Sequence, residues 1–305
     1  MKRFPTVLLT FAVVFACQVA MSAQEPAKDK DMAGAATPPP KVLVVSREFL
    51  KPGRAGEAHK KAEAAFVRAM SAAKAPTHYL AVTSLSGRPR VLFFTGYESF
   101  AAWEKDNKAI EKNAMLSTAL DRAAMADGDL LTDYDGGAFL YREDYSLNAP
   151  VDIPHMRYFE IAHFQVKQGH EKEWEEGVKM VLKAYQKMPD MHFACYQVLY
   201  GAHDGTYLFF TPLKSAAQID TELAHNKDFE AALGEDGMKR LAELSAASID
   251  WSETNLFAFD PAMSYVSPEW IKADPEFWTP KAGGNVAMGN KPKDKSAMAE
   301  PKTPQ

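Results

Sequence analysis

The chain has 305 residues, with 35 Lys and Arg against 40 Asp and Glu, a formal charge of −5 and 47% hydrophobic residues, the balance of an ordinary globular protein. Its two cysteines, Cys17 and Cys195, exclude a disulfide scaffold and a Cys-rich zinc module. A slightly acidic chain with no long block of like charges lacks the electrostatic footprint of a nucleic-acid binder.

The N-terminus reads Met1-Lys2-Arg3, an apolar run from Val7 to Ala20, then Met21-Ser22-Ala23. This is the layout of a secretory signal peptide over residues 1–23. The run is shorter than the roughly 20 apolar residues that span a bilayer. The expected location is periplasmic or extracellular, with no membrane span in the mature form. Val14-Phe15-Ala16-Cys17 also resembles a lipobox, and the alternative is a lipoprotein anchored through Cys17. Residues 24–40, with Pro38-Pro39-Pro40, read as a disordered linker. Residues 281–305 hold no aromatic side chain and read as a disordered tail, because they cannot bury enough apolar area to offset the entropy of ordering.

Between these ends one pattern occurs twice, over 41–146 and 155–266. Val42–Val45 and Tyr158–Phe164 open the copies, and a Lys-x-Gly turn follows each, with Gly53 and Gly169 separated by 169 − 53 = 116 positions. Thr77–Gly87 aligns without a gap on Met191–Gly201, so His78 and His192 share one place, 192 − 78 = 114 positions apart. Leu92-Phe93-Phe94-Thr95 then meets Leu208-Phe209-Phe210-Thr211, and the copies close on Ala138–Tyr141 and Leu256–Phe259.

Each copy reads strand, helix, strand, hairpin, strand, helix, strand. The first helix of copy one places Ala62, Phe66, Val67 and Met70 at helical spacing; its partner places Trp174, Val178, Val181, Leu182 and Tyr185 likewise. Turn residues mark hairpins at Ser86–Pro89 and Gly201–Gly205. The second helical region is expected to break near Asn113 in copy one and near Gly234 or Gly237 in copy two. The fold class is α+β, with two ferredoxin-like βαββαβ repeats packed sheet to sheet. A C-terminal extension, 267–280, carries Trp270, Phe277 and Trp278 to anchor it on the barrel or cover the mouth.

The element order, the Lys-x-Gly turn, the aromatic third strand and the doubling resemble the dimeric α+β barrel superfamily, with both halves fused in one chain. The resemblance covers about 110 residues per copy and names no specific family. It implies a cavity between two sheets, in a superfamily that includes cofactor-free monooxygenases, haem proteins like chlorite dismutase and stress-response proteins.

The candidate ligand-binding side chains are Glu160, His163, His78, His192, Trp103 and Tyr196. His78 and His192 form a pseudo-symmetric pair that suits either a ligand or backbone hydrogen bonds. On the strand opening copy two, Glu160 and His163 lie on opposite faces, so one of them faces the interior. Their counterparts Val44 and Arg47, with Glu48 next, do not repeat them, so one diverged pocket is expected. Cys195, mid-strand among apolar neighbours, reads as an inert hydrophobe. Gly201–Gly205 matches a string of the haem-binding dye-decolorising peroxidases, but Asp-Gly is ordinary turn chemistry. No metal ligands are assigned, no cofactor is expected, and haem keeps only this weak support. The leading reading is an exported binder of a small apolar or aromatic molecule, as a monomeric pseudo-dimer or a homodimer. The alternatives are a cofactor-free or haem-assisted oxidoreductase using the same cavity, and a ligand-free stress-response or interaction protein.

Overall fold

The computed structural model describes residues 37–279 apart from residue 189. The signal-peptide segment, the linker up to residue 36 and the tail lie outside the described residues.

Copy one runs β1 (Val42–Leu50), α1 (Glu57–Ala73), β2 (Tyr79–Ser84), β3 (Arg90–Tyr97), α2 (Phe100–Lys112), α3 (Ala114–Gly128) and β4 (Leu131–Leu147). Copy two runs β5 (Tyr158–Val166), α4 (Glu171–Tyr185), β6 (Phe193–Tyr200), β7 (Thr206–Leu213), α5 (Ala217–Ala224), α6 (Asn226–Ser248) and β8 (Ile249–Phe259). Two short helices follow, α7 (Pro268–Ala273) and α8 (Pro275–Trp278). Among the described residues no helix is long and apolar enough to cross a membrane.

Within each copy the strands lie in ferredoxin-like order, β4-β1-β3-β2 and β6-β7-β5-β8. The edges of the two sheets then pair with each other, β2 with β8 and β4 with β6, and every pairing is antiparallel. The result is a closed eight-stranded barrel. Closure answers the exposed-edge problem that either sheet would face alone.

Alternation sorts each strand between two buried environments, the barrel interior and the helix layer outside. Leu43, Val45, Leu80, Val82, Phe94, Phe159, Ile161, Tyr196, Phe210 and Phe257 fill the interior. Phe94 meets Phe210 edge to face at 5.3 Å between ring centroids, a favoured aromatic geometry.

The helix break at Asn113 has a local cause. Its backbone N–H donates to Ile110 O at 3.0 Å and closes α2, while its side-chain oxygen accepts from Leu116 N at 3.1 Å and starts α3, as an N-cap does. In copy two the region divides at His225 and bends again at Gly234, whose φ of 69° and ψ of 175° are not helical. The buried stripe of α1 differs from the apolar spacing read from the sequence. His59, Glu63 and Met70 are its buried residues, and Ala62, Phe66 and Val67 are only partly covered.

The β4–β6 seam depends on a close backbone approach at Gly201. Its φ is +87°, and a Cβ there would stand 2.1 Å from Gly136 O. Gly201→Ala combines a disfavoured φ with a backbone clash. It should lower the stability of the chain by about 1–3 kcal/mol in chemical denaturation, and an unchanged midpoint would contradict the close approach.

The C-terminal extension covers one end of the barrel. Trp278 is 3% exposed, its indole N–H donates to Pro154 O at 2.8 Å, and Trp270 stands 5.3 Å from it.

Candidate functional site

A cavity of about 280 Å³ opens between the sheets at the end where Trp270 lies. Leu80, Phe94, Phe159 and Phe210 form its floor, and Pro38, Pro39 and Pro40 cross it. Tyr196 lines this cavity, but its hydroxyl donates to Pro40 O at 3.1 Å, so its polar group holds the proline strap in place. Thr37, just before that strap, bridges to Val151.

His78 and His192 both line this cavity. They differ in what their rings can still do. His192 has Nδ1 2.9 Å from Asp190 O and Nε2 2.8 Å from Pro212 O, so each nitrogen faces a backbone carbonyl and its single N–H in the neutral ring is used on one of them. His78 stacks on Tyr265 at 4.8 Å, which leaves the edge of its ring for a ligand. Burial lowers the His78 pKa, against a smaller opposing pull from Glu269, so a neutral ring that can donate or accept faces the cavity.

Three expected site residues lie elsewhere. His163 does point into the barrel, but toward the opposite end from the cavity, where it pairs in register with Leu208 and Glu253 and meets Trp251 at 4.5 Å. That end is polar: Arg47 is paired with Asp135, Arg90 lies 3.6 Å from Glu253, and His163 Nε2 is buried without a hydrogen-bond partner among the described residues. Glu160, one step out of phase on β5, points away from the interior and shares a space with Glu222 under α4 and α6. Burial raises both carboxyls, that of Glu222 to about 7 with help from Glu160. Trp103 sits on α2, 39% exposed, with its ring against Phe100. It is a surface residue and not a cavity wall.

The fold also assembles a cluster that sequence reasoning missed. Glu48 on β1, His59 and Glu63 on α1, and Asp127 on α3 are all buried, and each offers one ligand atom in a group that lies within 4.8 Å. His59 Nε2 is 2.9 Å from Glu48 Oε2 and 3.3 Å from Asp127 Oδ1. Burial, then Glu48 and Asp127, push the Glu63 carboxyl up to about 9. The one sequence signal was a His and a Glu four residues apart, hidden within the presumed apolar face of α1.

Haem does not fit the inter-sheet cavity. The volume is at the low end for drug-sized ligands, and among the described residues no Arg or Lys lines it to receive propionates. Cys195 is fully buried and its thiol pKa is raised well above the ordinary range by burial, which suits the inert role read from the sequence.

These features define an α+β barrel made of two fused ferredoxin-like halves, the architecture of the dimeric α+β barrel proteins. No family description and no curated protein matches the chain in sequence. Among solved structures, it is similar to a provisionally named monooxygenase of Fusobacterium nucleatum, at 11% identity and a TM-score of 0.48, over 72% of this chain and 93% of that one. An anthrone oxidase-like protein matches at 13% identity and a TM-score of 0.45, over 74% and 93%. A chlorite dismutase of Candidatus Nitrospira defluvii, in complex with imidazole, matches at 11% identity and a TM-score of 0.43, over 73% and 92%. At these identities the chemistry of those proteins does not transfer, and that of this chain rests on its own residues.

Proposed function

We propose that this is an exported protein that binds one small apolar or aromatic molecule between its two sheets, with His78 as the polar contact that orients it. The observation that supports this reading is the cavity itself. It is walled by Leu80, Phe94, Phe159 and Phe210, while the Tyr196 hydroxyl donates to Pro40 O and both His192 nitrogens face backbone carbonyls. An apolar wall with one convergent polar group is the usual make-up of a small-molecule site. An oxidoreductase reading would use the same cavity, with His78 as the proton acceptor from a bound phenolic or enolic substrate.

The test is a fluorescence titration of the chain, prepared from an exporting host and starting at Gln24, with the neutral fluorophore N-phenylnaphthylamine. The wild type should bind one equivalent. Ala194→Phe, which places a ring where Ala194 lines the cavity, should weaken binding at least tenfold while leaving the melting temperature within a few degrees. Equal binding by both proteins would refute the assignment.

A further inference from the structure

On the outer face of copy one, away from the cavity, Glu48, His59, Glu63 and Asp127 bring three carboxylates and one imidazole together inside the protein. His59 is 1% exposed, Glu63 and Asp127 are each 2% exposed, and Glu48 is 7% exposed. Among the described residues no lysine or arginine pairs with them; Lys60, the nearest lysine in sequence to His59, pairs instead with Asp260 at 2.8 Å. Among the described residues Glu63 Oε1 is buried with no hydrogen-bond partner, and Asp127 Oδ1 has only the His59 ring at 3.3 Å, without a hydrogen bond. Three buried carboxyl groups that share a single imidazole are costly for a fold to hold.

The second copy shows what this place looks like when only packing is required. Glu48 pairs with Val91 on β3, and in copy two Phe164 pairs with Tyr207 on β7 at the same register. The buried helix positions His59, Glu63 and Met70 correspond to Trp174, Val178 and Tyr185, each 115 positions on (174 − 59, 178 − 63, 185 − 70). The buried residue in the last turn before the final strand is Asp127 in one copy and Ser248 in the other. Phe164, Trp174 and Val178 belong to one hydrophobic cluster. The same scaffold is therefore stable with an aromatic and aliphatic filling, and copy one has a donor set there instead.

We propose that Glu48, His59, Glu63 and Asp127 bind one divalent first-row transition cation, such as Mn²⁺, Fe²⁺ or Zn²⁺. The donor atoms already lie close enough together to share one ion, and they come from three separate elements. An ion there would tie α1 and α3 to β1. The chemistry of the donors narrows the class: three oxygens with one imidazole nitrogen suit these ions better than Cu(I), which favours sulfur. Calcium takes six to eight oxygens, and magnesium keeps several waters, which a closed set of four side chains does not provide. None of its four residues lines the inter-sheet cavity.

The experiment uses the same chain starting at Gln24, stripped with a chelator and titrated separately with Mn²⁺, anaerobic Fe²⁺ and Zn²⁺ under native mass spectrometry and thermal melting. At least one of these ions should add as a single equivalent and raise the melting temperature by about 5–10 °C at hundredfold excess over its Kd. Glu63→Gln should weaken binding of that ion at least tenfold while its metal-free melting temperature stays equal or rises, because a buried acid has been replaced by a neutral isostere. Glu175→Gln, on the exposed face of α4, should leave both unchanged. If Glu63→Gln does not fold, Asp127→Asn carries the same comparison. Absence of a stoichiometric adduct and of a melting shift with all three ions would overturn the proposal, as would wild-type affinity in the folded variant.

Discussion

Phe257→Ala should cost the protein about 3–5 kcal/mol of folding free energy, the range for emptying a fully buried aromatic site. Phe257 is 1% exposed and stands on β8, at one of the two seams that join the copies. Its backbone pairs with Ser84 on one side and Phe159 on the other. Inside the barrel its ring belongs to the central cluster and carries the Arg90 guanidinium 5.1 Å from its centroid. Truncation therefore removes apolar contacts from both halves and leaves Arg90 over a void. A closed barrel has little freedom to collapse around such a gap, which places the cost toward the upper part of the range. Urea denaturation of the two proteins measures the loss. A change below about 1 kcal/mol would show that the interior repacks, contrary to a tightly closed barrel.

The second large effect is on pH dependence, through His163. Its pKa is lowered from 6.5 to about 4, first by burial; Glu253 opposes this, and Arg47 and Arg90 add to it. The folded chain keeps the ring neutral while the unfolded chain binds a proton below 6.5, so stability rises with pH across this window. The contribution is complete above pH 6.5 and is lost as pH falls toward 4, by up to about 3 kcal/mol at 1.36 kcal/mol per unit. Glu160 and Glu222 act in the opposite sense. Their carboxyls are raised in the folded state, that of Glu222 from 4.5 to about 7, so their stabilising effect at low pH is lost as pH rises through that range. The difference between wild type and His163→Leu isolates the histidine. Leucine at 163 should flatten the decline between pH 6.5 and pH 4, and parallel curves for the two proteins would show that this ring is not the source.

The repeat was legible in the sequence because both copies must build the same antiparallel sheet, and the matched segments around His78 and His192 fall on equivalent strands in the structure. Asn113 and Gly234 announced their breaks through capping and backbone chemistry, which act locally. The placement of Glu160 and His163 was only half legible. Alternation shows that they face opposite ways, but both faces of this sheet are buried, one under helices and one inside the barrel. Strand pattern alone cannot tell which face is which. Trp103 was misplaced for a related reason, since a large aromatic on a helix does not reveal which face of the helix meets the sheet.

The acidic cluster was illegible because its members are joined by topology. Glu48 and His59 are 11 residues apart, and Asp127 follows Glu63 by 64 (59 − 48 and 127 − 63). Only the packing of α1 and α3 across β1 brings them together. The pairing of His59 with Glu63 was the single local sign, and it was masked by the more familiar apolar residues Phe66, Val67 and Met70 beside it.

Diffraction from crystals soaked in N-phenylnaphthylamine tests the central claim most directly. The probe is expected between the sheets, in contact with Phe94, Phe159 and Phe210 and with its amine near His78. Density for the probe in the space beside Glu160 and Glu222, or on the outer surface alone, would contradict it.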